Sequence, residues 1–131
     1  MKRFVLVGAL ALAVGMGSAS VASALDFCMP YTGVTLKKFK IPPKGKCVAV
    51  VGTFSDGRTS GTACTDDAGT RVNFSLHSMI PNGSVLDDFV DLALPAVAGM
   101  YNGTDVYRSN YGALTGPVAE SASYCPTQPV Y

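Results

Sequence analysis

The chain has no tryptophan, one histidine (His77) and one glutamate (Glu120) among its 131 residues. A lone histidine excludes histidine-rich metal sites and leaves His77 as the only imidazole open to acid–base chemistry. A lone glutamate leaves paired-carboxylate catalysis to Glu120 and the eight aspartates. Several of these, such as Asp56, Asp66 and Asp67, stand in turn sequences that already account for them. There is no G-x-S-x-G elbow, no H-E-x-x-H and no phosphate-binding loop; the nearest look-alike, Gly52-Thr53-Phe54-Ser55-Asp56-Gly57, has the wrong spacing. Cysteines never occur as C-x-x-C, and no aspartate run has calcium-loop spacing. No metal, cofactor or catalytic set is therefore expected. Charge is sparse too, at 15% of residues with a net of +1, or about −1 once Lys2 and Arg3 are set aside. So even a balance argues against a nucleic-acid binder.

What is present starts at the N-terminus. Lys2 and Arg3 precede an apolar run from Phe4 to about Met16, and Ala22-Ser23-Ala24 supplies a small-x-small cleavage pattern. These are the three parts of a secretory signal peptide. The run gives way to Gly15, Gly17, Ser18 and Ser20 before reaching the roughly 20 apolar residues a membrane span needs. Residues 1–24 are read as a cleaved signal and 25–131 as a single secreted or periplasmic domain, with no transmembrane segment in the mature chain. Four cysteines, Cys28, Cys47, Cys64 and Cys125, follow the cleavage point. An even count in a short secreted chain predicts two disulfides. Cys47–Cys64 with Cys28–Cys125 is the favoured pairing, and Cys28–Cys47 with Cys64–Cys125 stays open.

Turn signals recur at short, regular intervals, from Gly33 and Pro42-Pro43 through Asp56-Gly57, Asn82-Gly83 and Asn102-Gly103 to Gly116-Pro117. Short runs rich in Val, Thr, Phe, Tyr and Leu lie between them. The pattern predicts an all-β fold, a small antiparallel sandwich or barrel. Residues 35–41 read as an alternating strand ended by Pro42-Pro43. Residues 47–54 read as a central strand covered on both faces, returning through a two-residue Asp56-Gly57 turn with Ala49 opposite Cys64. Arg71 to Met79 is the clearest amphipathic strand, with Val72, Phe74 and Leu76 inward and His77 outward. Asn102-Gly103 reads as the strongest hairpin turn, with 106–111 returning. Residues 84–94 fit either a capped helix or a strand. The strand is preferred, with Val90, Leu92 and Leu94 on one face and Phe89, Asp91 and Ala93 on the other.

Two surfaces are candidates for binding. Tyr101, Tyr107 and Tyr111 cluster toward the C-terminal end, and tyrosines suit protein and sugar contacts. Lys37, Lys38 and Lys40, with Lys44 and Lys46, crowd one segment that suits an anionic surface, or simply protects a sheet edge. The leading expectation is a non-catalytic binding module for an unknown protein or envelope polysaccharide. A self-associating extracellular structural subunit and a small hydrolase using His77 are the alternatives. In size, leader and cysteine count the chain is similar to small periplasmic β-barrel inhibitors and other envelope β-domains. No motif is shared, so the likeness implies no site.

Overall fold

The computed structural model describes residues 25–110, 113–115 and 117–126. Their strands are β1 (Phe27–Met29), β2 (Val34–Leu36), β3 (Cys47–Phe54), β4 (Gly57–Thr65), β5 (Arg71–Met79), β6 (Val85–Ala93), β7 (Tyr101–Asn110), β8 (Ala113–Thr115) and β9 (Val118–Tyr124). Every pairing is antiparallel, and successive strands are neighbours from β1 to β8. β9 then pairs with β7 on one side and β1 on the other. The result is a closed eight-stranded antiparallel barrel, in which β8 prolongs the β7–β9 hairpin. No helix occurs among the described residues, so 85–93 is strand.

Alternation along the strands decides what fills the barrel. Val72, Phe74 and Leu76 of β5 are buried, as are Val90 and Leu92 of β6 and Phe27 and Leu36 of β1 and β2. The intervening residues of β4 and β5, including Ser60, Thr62, Ser75 and His77, are exposed. On these strands the inward face is mainly apolar and the outward face mainly polar, the period-two pattern of a sheet with a buried side. Rings dominate one end of the interior. Phe27 meets Phe39, Phe74, Tyr101 and Tyr124 with centroids 5.1–6.1 Å apart. That end is also the one reached by the β2–β3 connection (37–46), the β4–β5 turn (66–70) and the β6–β7 turn (94–100). Both disulfides lie toward it: Cys28–Cys125 and Cys47–Cys64. The two bonds are consistent with an oxidising compartment.

Four local expectations are corrected. The alternation predicted over 35–41 stops at Leu36; Lys38 adopts φ 47°, and Phe39 folds back onto Phe27 and Phe74 as a plug. β3 is not covered on both faces: Val51 is 61% exposed and only Val50 is buried. The β3–β4 turn is Ser55-Asp56, with Ser55 at φ 52°, not Asp56-Gly57. The two-residue shift puts Cys47 directly opposite Cys64, with Cα atoms 4.0 Å apart, so no bulge is needed. Asn102-Gly103 is not a turn. It lies inside β7, where Gly103 pairs with Leu92 and Glu120 at once. A Cβ there would sit 1.9 Å from the Asp91 carbonyl oxygen, so glycine is needed for strand approach and not for turning. The true turn is Ala98-Gly99, whose successive φ values of 51° and 81° define a type I′ hairpin between Val97 and Met100.

Candidate functional site

The outer wall of β5, β6 and β7 carries a groove of about 490 Å³ lined by Ser75, His77, Asp87, Phe89 and Tyr107. Strand register brings these residues together. His77 is directly opposite Asp87, and His77 Nδ1 lies 2.7 Å from Asp87 Oδ1, with both side chains about half exposed. One step along the same face, Ser75 is opposite Phe89 and Phe89 is opposite Tyr107. Phe89 and Tyr107 are 44% and 43% exposed. Two large exposed rings side by side, with Val106 next to Tyr107 also 44% exposed, cost solvation unless something covers them. Ser60 stands opposite His77 on the other side, completing a row of serine, histidine and aspartate. An acyl-transfer site also needs donors aimed at the developing oxyanion. Backbone N–H groups in mid-sheet are spent in the ladder. The row therefore reads as a hydrogen-bonding border to the aromatic pair.

A second polar assembly lies inside the barrel, at the end away from the aromatic plug. A bulge at Phe89/Val90 pairs Phe89 with Tyr107 and Val90 with Asp105, leaving Val106 as the extra residue. Val106 and Tyr107 both face outward, so Asp105 and Arg108 both face inward. Arg108 Nε donates to Asp88 Oδ1 at 2.7 Å, and its Nη2 donates to the Thr32 carbonyl at 2.6 Å. Glu120, 1% exposed, accepts from the backbone N–H groups of Tyr31 and Thr32 at 3.0 and 2.9 Å and so fastens the β1–β2 turn. Asp105 is different. Both its oxygens are buried without a donor among the described residues, and its nearest cation, Arg108 Nε, is 3.7 Å away. Burial first, and then the adjacent Asp88 carboxylate, push the Asp105 carboxyl up to about 8, with Arg108 opposing. Burial beside the Asp88 carboxylate therefore favours the protonated form of Asp105.

The residues singled out from sequence separate in space. Tyr101 turns inward against Phe27 and Tyr124, where burial raises its phenol pKa, so it belongs to the core and not to a binding face. Tyr107 is on the outer groove, and Tyr111 lies outside the described residues. Lys37, Lys38 and Lys40 are exposed on the β2–β3 connection, at the barrel end opposite the Asp105 assembly. Phe89, Asp105, Arg108 and Glu120 were not anticipated as site residues. For Phe89 the signal was available, as a large apolar residue on the Asp91 face of an alternating strand. For Asp105 and Arg108 it was not, because the bulge that turns both inward has no sequence mark. The described residues contain no cluster of three or more histidine, cysteine or acidic ligands suited to a metal ion. No family model, no curated protein and no solved structure matches this chain.

Proposed function

We propose that this protein is a secreted or periplasmic non-catalytic binding module that presents the outer wall of β5–β7 to a protein or polysaccharide ligand. The carrying observation is the exposed Phe89–Tyr107 pair bordered by the His77–Asp87 hydrogen bond. Aromatic rings supply contact area at low entropic cost, and the polar border supplies orientation. The leader at residues 1–24 and the two disulfides support export. Closure of the barrel leaves little free strand edge, which weakens the reading as a self-assembling structural subunit. The hydrolase reading keeps the Ser60–His77–Asp87 row as its only support.

The test is capture by the oxidised protein from its host's extracellular and envelope fraction, in parallel with a Phe89→Ser/Tyr107→Ser variant. Both side chains are more than two-fifths exposed, so the variant is expected to keep its melting temperature. One saturable ligand lost on substitution is the expected result. Undiminished capture by the variant refutes the assignment of this face. A turnover activity abolished by His77→Ala replaces the binding reading with the hydrolase one.

A further inference from the structure

We propose that the plugged end of the barrel is a docking surface for an anionic lipid bilayer. The observations are independent of the β5–β7 wall. Five of the eight cationic side chains beyond residue 24 stand between positions 37 and 46. All five are exposed. Of these five lysines only Lys37 has a carboxylate of the described residues within ion-pair distance, Asp26 at 3.5 Å. The other acids of that end are committed or few. Asp26 also accepts the Lys38 backbone N–H, and Asp66 is held by the N–H and hydroxyl of Thr70, which leaves Asp67.

The same end exposes apolar groups. Val97, at the tip of the β6–β7 turn, is 70% exposed, and Met100 and Val48 are each 36% exposed. Lys37, Lys38 and Lys40 share one groove with Val48, Ala49 and Val51. An acidic polysaccharide would use the lysines and leave the valines and methionine in water. A bilayer with acidic headgroups uses both: ammonium groups meet phosphates while a short apolar tip enters the headgroup–acyl boundary. The rigid, doubly stapled barrel behind the patch holds the tip and the lysines at one end without further ordering cost. Docked this way, the β5–β7 wall stands to the side, clear of the membrane and open to its own ligand.

The experiment is vesicle flotation with the protein expressed from its full coding sequence and purified with both disulfides formed. Vesicles contain one phosphatidylglycerol for every two phosphatidylcholine, or phosphatidylcholine alone. The expected result is binding to the acidic vesicles only, weakening as salt rises. Each Lys→Gln change is expected to lower partitioning about fivefold, as is usual for a lysine close to an acidic membrane surface. K38Q/K40Q/K44Q/K46Q should therefore abolish flotation, and V97D should reduce it, with the melting temperature of both unchanged. With removal of residues 1–24 verified by mass, equal binding to neutral vesicles, or flotation that survives the quadruple substitution, overturns the proposal. Binding to heparin that V97D leaves unaltered, with no flotation, also overturns it and assigns the lysines to a soluble polyanion.

Discussion

Replacing Asp105 with asparagine should stabilise this barrel, by an amount set by pH. The Asp105 carboxyl holds its proton up to about pH 8 in the fold, against an ordinary aspartate value of 3.8. Between those two values the folded chain carries one proton more than the unfolded chain. Stability from this group is thus complete below pH 4 and is lost as pH rises through 8, with a slope of at most about 1.4 kcal/mol per pH unit. Three units would set a ceiling of about 4 kcal/mol at pH 7, and the partial opening of the site to water around Arg108 brings the expected loss to roughly 1–2 kcal/mol. The asparagine side chain cannot ionise, keeps the shape, and offers an N–H₂ to the Asp88 carboxylate that already accepts from Arg108. Asp105→Asn should match the natural protein at pH 4 to within about 0.5 kcal/mol and exceed it by about 1–2 kcal/mol at pH 7. For a domain of about 100 residues each kcal/mol is about 4–8 °C in melting temperature. Thermal or guanidinium unfolding at pH 4, 5.5, 7 and 8.5 reads the difference directly. Asp26 and Asp66, whose carboxyls are held below the usual range by backbone N–H groups, destabilise only at more acid pH and are shared by both chains. A variant less stable than the natural protein by the same amount at every pH would refute the reasoning, because it would make Asp105 a structural anion.

Removing the Cys28–Cys125 bond, whose partners are 97 residues apart, should cost about 4–5 kcal/mol against about 3 kcal/mol for Cys47–Cys64, 17 apart, on the loop-entropy relation; guanidinium midpoints of the two Cys→Ser pairs decide the order. Gly103→Ala forces a methyl against the Asp91 carbonyl and should destabilise by about 1–3 kcal/mol, with amide exchange rising first in β6, β7 and β9. Glu120→Gln leaves one acceptor oxygen where two now serve Tyr31 and Thr32, and a loss of about 1–2 kcal/mol is expected in the same unfolding assay.

Period-two patterning was legible wherever one face is buried. It placed Val72, Phe74 and Leu76 correctly, and it placed Val90 and Leu92 once the strand was preferred over the helix. The favoured disulfides were also right, although the register used to argue for one was slipped by two residues. The turn expected at Asp56-Gly57 is made one residue earlier, with Ser55 in the left-handed region and Gly57 already in β4. Asn102-Gly103 misled for a deeper reason: the local preference for a turn is worth little beside ladder pairing on both sides of β7. Phe39 was misplaced because a strand and a folded-back plug both alternate over five residues. The acid pair could not be read at all. It depends on one unpaired residue, Val106, that flips the parity of everything after it.

The closing seam between β1 and β9 has a consequence for how the chain matures. Synthesis delivers Cys28, then Cys47, then Cys64, and Cys125 last. The first two thiols to meet an oxidant are thus the wrong partners, and Cys28 has to wait for a partner 97 residues further on. The hairpin of β3 and β4 works against that error. It forms from adjacent strands and sets Cys47 face to face with Cys64, withdrawing Cys47 from Cys28. A host that makes this protein in quantity therefore needs either a hairpin that zips faster than oxidation or an isomerase that undoes the early Cys28–Cys47 bond. The order of the cysteines, and not their number, sets the demand.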